Sequence, residues 1–316
     1  MIPKRRLYAG AALLLAAAAL GAGLYFRQGG GPAGGAVPSA ATRFSLVEGE
    51  VRVVRHEDRE VVRADADTAV RPGDLVETLE AGRALITMAD GSLLEISPNS
   101  VVTIAENAGA LEDAAARVRV AVGRGRVGVS TEGQPAEASN TVETRLTKNR
   151  LGAHTDASFA VREDRTEELR VGAGSVVSDT PAGRTVVGPD EHVALGAAGE
   201  VRRREPLLDP PVLYEPAHGV GVVAREEEDR SVTLRWTRPL ARAAVSYRVE
   251  IASSPFFVRP GVLFEREGLV GTRLVVTDLP PGNYFWRARA ASETGQASEW
   301  GGPHKFTLLP ERDAAR

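Results

Sequence analysis

The chain has 316 residues, 43% hydrophobic and 26% charged, with a net charge of −3. That is enough for about two domains with cores of their own, and too balanced to steer the protein toward nucleic acid. Cysteine is absent, which removes disulfides, thiolate metal sites and cysteine nucleophiles.

In chain order, the first element follows MIPKRR, residues 1–6, which carries Lys4, Arg5 and Arg6. Residues 7–26, LYAGAALLLAAAALGAGLYF, hold no charge. Twenty helical residues span about 30 Å, the thickness of a bilayer's hydrocarbon core. Positive charge ahead of the segment predicts that everything after Arg27 is exported. Gly21-Ala22-Gly23 also suits cleavage of a signal peptide, but the apolar run continues through Leu24, Tyr25 and Phe26. We therefore expect a single-pass anchor in a bacterial inner membrane with periplasmic domains, or an exported protein if the segment is cleaved. Residues 27–42 lack large apolar side chains and read as a flexible linker.

From Phe44 onward, short alternating valine-rich segments bounded by Gly, Pro or Asp predict strands. Only residues 105–118, AENAGALEDAAARV, suit a helix or a loop. In ALITMADGSLLEISPNS, residues 84–100, Ile86 and Met88 share one face, as do Leu94 and Ile96. Asp90-Gly91 between them predicts a tight hairpin and makes Asp90 a turn residue rather than a ligand. Residues 43–200 form the first expected β domain and 201–211, charged and proline-rich, a linker. Residues 212–310, with longer strands and Trp236, Trp286 and Trp300, form the second.

Few constellations point to chemistry. Gly123-Arg124-Gly125-Arg126-Val127-Gly128 matches a dinucleotide-loop pattern, but VGVST follows where that loop needs a helix, so a glycine-rich hairpin turn is expected. Arg117 and Arg119 alternate with Val118 and Val120. With Arg124 and Arg126 they form the candidate interaction surface, either a solvated strand face or a contact for an anionic partner. The five histidines show no metal-ligand spacing, and Asp65-Ala66-Asp67 and residues 226–229 lack calcium-loop order. No GxSxG, HExxH or Walker motif is present. No catalytic residue, cofactor or metal is expected.

GEVRVVR, residues 49–55, and RPGDLVETLEAGRALITMADGSLLEISPNSVVTI, residues 71–104, resemble the FecR family, and GRGRVGVST and SFAVREDRTEELRVGAGSVVS continue the likeness over about residues 44–196. The family usually has a Gly-Thr-x-Phe step where this chain has His154-Thr155-Asp156-Ala157-Ser158-Phe159. The resemblance implies an all-β domain of stacked short strands. It also implies relay between an outer-membrane transporter and a cytoplasmic sigma factor, but MIPKRR is too short to build that interface. About residues 212–309 resemble a fibronectin type III sandwich: Trp236 in VTLRW, and Leu279-Pro280-Pro281-Gly282-Asn283-Tyr284 leading to a tyrosine corner.

The expectation is thus an all-β, membrane-anchored, non-catalytic binding or scaffold protein docking an envelope protein, peptidoglycan or another polysaccharide. The alternatives are a FecR-type signalling component whose partner supplies the cytoplasmic part, and a carbohydrate-active envelope enzyme.

Overall fold

A computed structural model describes residues 42–110, 115–135, 137–224, 231–239, 246–255, 257 and 261–310. The expected membrane segment, the linker up to residue 41 and the acidic run 226–229 lie outside them. The described residues form strands, turns and loops without a helix, so none of them belongs to a helix able to cross a membrane. Of residues 105–118, the first four end the strand Ser100–Ala108 and the last two open the strand Arg117–Ser130. The chain divides into two compact units that meet in sequence between Leu207 and Leu208.

The first unit is a valine-rich core between two sheet faces. Alternation builds it: Val51–Val54, Leu75–Thr78, Arg83–Thr87 and Leu93–Ile96 each bury every second side chain. One face runs Thr42–Glu48, Arg83–Thr87, Leu93–Ile96, Arg117–Ser130, Asp156–Val161, Glu167–Ala173, Glu191–Leu195 and Val201–Pro206. The other runs Val61–Arg63, Val51–Val54, Leu75–Thr78, Ser100–Ala108, Arg117–Ser130, Ser139–Glu143, Lys148–Leu151, Val176–Thr180 and Gly183–Val187. Arg117–Ser130 belongs to both and lies inside each. Residues 201–206, expected to open a linker, instead form a strand on Glu191–Leu195. They carry no apolar alternation: Val201 and the three successive arginines are exposed, and Glu205 is the buried residue of the strand.

The unit contains an internal repeat. Leu75–Thr78 pairs with Ser100–Ala108 on one face while Arg83–Thr87 pairs with Leu93–Ile96 on the other. Lys148–Leu151 with Val176–Thr180, and Asp156–Val161 with Glu167–Ala173, repeat that arrangement. The hairpin turns match atom for atom. Met88 N–H donates to Ser92 O at 2.8 Å and Gly91 N–H to Met88 O at 3.0 Å. Arg162 N–H donates to Thr166 O at 3.0 Å and Arg165 N–H to Arg162 O at 3.1 Å. Gly91 has φ +82°, Arg165 +67°. Both hairpins thus have three-residue loops ending in a left-handed residue, and Asp90-Gly91 lies in the tight turn expected of it.

The second unit has a three-stranded sheet, Leu213–Glu215, Val232–Trp236 and Arg273–Val276. It packs on a five-stranded sheet in the order Val220–Ala224, His304–Pro310, Gly282–Ala291, Ser246–Ala252 and Val262–Leu269. Trp236, Tyr247 and Trp286 fill its centre, with Trp236 ring contacts at 5.4 and 6.4 Å. The tyrosine corner forms as expected: the buried Tyr284 hydroxyl donates to Pro280 O at 2.5 Å. Trp300 is not core. It lies half-buried with the Arg287 guanidinium 4.1 Å from its ring centre, and Phe257 lies 4.1 Å from the same guanidinium. Arg287 also donates to the buried Glu250 carboxylate at 2.9 and 2.6 Å.

Candidate functional site

The four candidate arginines all stand on the strand Arg117–Ser130. Val118, Val120 and Val122 point into the core, and so do Val127 and Val129. The inward set therefore changes parity between residues 122 and 127. The strand pairs with Ser139–Glu143 up to Ala121 and with Ser100–Ala108 up to Arg124; it then pairs with Asp156–Val161 from Gly125 and with Leu93–Ile96 from Val127. The glycine-rich motif is thus where one unbroken strand passes from one face to the other, rather than the expected hairpin turn. A bulge and a left-handed glycine are the usual means of such bending. Gly125 has φ +90°, and a Cβ there would lie 2.5 Å from Ser100 Cα. Ser100 Oγ accepts from Arg126 N–H at 3.0 Å, and Arg126 O accepts from Ser97 N–H at 3.0 Å, which fixes the bend.

The parity change splits the arginines between locations. Arg117 Nε lies 3.4 Å from Glu106, and Arg119 Nε 3.9 Å from the same carboxylate. Arg119 also reaches Glu143 at 4.0 Å. Arg124 lies 3.7 Å from Glu77, and Arg126 3.7 Å from Glu168. Arg117 and Arg119 share a neighbourhood; Arg124 and Arg126 have carboxylate neighbours of their own. Long, solvent-accessible pairs of this kind contribute about 0–1 kcal/mol each, yet they offset the positive potential of the stripe.

Asp90 is buried, with one carboxylate oxygen engaged in its turn and the other reaching a second strand. Its Oδ1 accepts from Ser92 N–H at 2.9 Å and Ser92 Oγ at 2.5 Å, and its Oδ2 accepts from Asn140 at 3.2 Å. Gly91 and Gly133 approach so closely that a Cβ on Gly91 would meet Gly133 O at 2.7 Å. Asp90 joins the hairpin to the strand Ser139–Glu143. Asp65 caps a turn likewise: Thr68 Oγ1 donates to it at 2.6 Å, a bond that holds its carboxyl below the usual range.

Glu167 is a buried carboxylate that its strand points inward with Leu169 and Val171. It accepts from Thr144 Oγ1 at 2.6 Å and from Leu146 N–H at 3.2 Å, and it borders a cavity of about 10 Å³ with Thr147, Asn149 and Phe159. Burial pushes its carboxyl up, against the lowering effect of those bonds. With a folded-state value above the unfolded one, its stabilising contribution is full below the unfolded pKa. It is lost as pH rises through the folded pKa. Glu167→Gln is therefore expected to raise the first unit's melting temperature at pH 8. The gain should shrink toward pH 4, as calorimetry at both pH values would record.

Among the histidines, His218 and His304 come together, with ring centres 5.7 Å apart. Lys305 N–H donates to His218 Nδ1 at 3.3 Å, and His304 Nδ1 lies 3.0 Å from Pro216 O. The bond to Nδ1 places the neutral His218 proton on Nε2, which makes the pair a clamp rather than a chelate. Among the described residues, no three His, Asp or Glu side chains converge as metal ligands.

No protein-family description and no curated protein matches the chain. Solved structures do show likeness. A candidate anti-sigma factor of Parabacteroides distasonis ATCC 8503 is 13% identical with a TM-score of 0.35, covering 47% of this chain and 77% of its own. The fibronectin(III)-like modules of Clostridium thermocellum CbhA are 10% identical with a TM-score of 0.26, covering 67% of this chain and 95% of theirs. The fibronectin type III domain of human KIAA0970 protein is 18% identical with a TM-score of 0.23, covering 33% and 73%.

Sequence reading did not single out Glu167, His192 or Glu250. A signal existed: in Glu167–Ala173, Glu167 occupies the inward position of the Leu169, Val171 series. A charged residue in an apolar register marks a built-in polar contact.

Proposed function

We propose that the chain is a membrane-anchored, periplasm-facing binding or scaffold protein without catalytic activity. Its first unit, FecR-like in sequence, docks an envelope protein or glycan, and its second acts as a fibronectin-like spacer or second docking module. The observation that carries this reading is where the ionisable groups are used. Asp90, Glu167 and Glu250 each bond to turn, hairpin or arginine partners that hold strands in place. The side chains left at the surface form a two-sign ladder across one sheet face. Arg52 and Glu77 are register partners along one part, with Arg124 reaching Glu77 across Val101, and Glu143, Lys148, Asp179 and Arg184 succeed one another along another. Such a face offers many weak polar contacts, as a rim does in protein association.

Crosslinking in intact cells followed by mass spectrometry tests this. Recovery of a defined envelope protein or wall fragment is the expected result; recovery of lipid alone would end the docking reading. A transporter or sigma-regulating partner, with altered transcription on deletion, would favour the signalling alternative. Turnover of peptidoglycan or glycans by purified protein would favour an enzyme.

A further inference from the structure

On the face opposite the valine core, the strands Glu167–Ala173, Glu191–Leu195 and Val201–Pro206 align Arg170, His192 and Glu205 in one row. All three are buried, with residue exposures of 6%, 2% and 6%. His192 Nδ1 lies 3.3 Å from Glu205 Oε1, which makes Nδ1–H the donor, while the buried His192 Nε2 has no hydrogen-bond partner among the described residues. Among the described residues, the charged groups facing the imidazole are Arg170 and Glu168 from one neighbouring strand and Glu205 from the other. Glu168 is itself approached by Arg162 and by Arg126. A neutral imidazole leaves one lone pair unsatisfied. A protonated one would bury an N–H without an acceptor beside an arginine, which costs more.

We propose that His192 is an acid-sensitive latch for Val201–Pro206, the strand that leads the chain out of the first unit, and that its protonation releases that strand. Glu191–Leu195 is the strand's ladder partner, and His192–Glu205 is the buried side-chain bond across it. Six released residues, extended, add about 20 Å to the connection between the units. This goes beyond the docking role and stands whatever the partner is.

Burial and the Arg170 charge hold the His192 pKa below its ordinary value, in that order. A depressed histidine leaves stability complete above the unfolded pKa. Stability is then lost as pH falls from there through the folded pKa. The carboxyl of Glu167, raised by burial, has the opposite slope, so its titration cannot mimic the effect.

Hydrogen exchange on the full chain tests the latch. Corrected for intrinsic exchange, protection of the 201–206 amides should fall about threefold or more between pH 7.5 and pH 5.0. In His192→Gln, whose amide can still donate to Glu205, that fall should vanish. In Glu205→Gln, which removes the charge favouring the proton, it should grow. An equal fall in wild type and His192→Gln would overturn the proposal, as would constant protection in wild type. If His192→Gln were poorly folded, the Glu205→Gln comparison alone would decide, since an unchanged or smaller fall there contradicts the latch.

Discussion

Gly125→Val is expected to abolish the first unit's cooperative unfolding transition while the second unit melts as before. The new side chain meets two separate obstacles. A branched residue at φ +90° is strained in any surroundings, and the first added carbon would overlap the Ser100 backbone. Neither can relax cheaply, because Ser100 and the bend are tied through Arg126 and the strand is interior to both faces. We expect a loss of more than about 3 kcal/mol, a large part of the 5–15 kcal/mol typical of a domain. The measurement is simple to interpret because Trp236, Trp286 and Trp300 all lie in the second unit. Tryptophan fluorescence follows that unit, and far-ultraviolet circular dichroism follows both. Loss of both signals together would contradict separate cores.

Arg287→Ala should destabilise the second unit by about 3 kcal/mol, the usual result of removing one partner from a buried ion pair. Glu250 lies almost fully buried, its Oε2 bonded to Arg287 and its Oε1 to Arg248 at 3.1 and 2.9 Å. Without Arg287 that carboxylate keeps one cation, and the Phe257 and Trp300 rings lose the guanidinium between them. Arg287→Lys should recover only part of the loss, because an ammonium neither stacks as a plane nor bonds in a fork. Tryptophan-detected urea unfolding measures both variants. A midpoint unchanged in Arg287→Ala would show that the stack contributes nothing.

Much of the fold was legible because strand alternation is a local signal. Ile86 and Leu94 point inward as their spacing required, and Tyr284 closes its corner where the Pro-Pro-Gly-Asn sequence placed it. Pairing across faces was not legible. Nothing within GRGR tells a hairpin from a bend in an unbroken strand, since glycine serves both; Ser100, which occupies the space a side chain would need, lies 25 residues earlier. The repeat was missed because its two copies share little more than Asp-x-Ser/Thr in the turn and Ser-Val-Val after it. In the second copy an arginine, Arg165, adopts the left-handed conformation that glycine announces in the first. Val201–Pro206 reads as linker in the sequence because exposed arginines mask an edge strand. Of the candidate surface, the alternation of Arg117 and Arg119 was readable. The carboxylates opposite them, on other strands, were not.

Because Arg117–Ser130 is one strand that serves both faces, its glycine motif is architecture rather than a phosphate loop. The chain's lack of cysteine permits a direct test with two engineered disulfides. Thr103→Cys with Ala121→Cys joins register partners before the bend, and Gly128→Cys with Ser158→Cys joins partners after it. Both should form under mild oxidation with the melting temperature retained. If the first forms and the second does not, the strand ends at Gly123 and the reading fails.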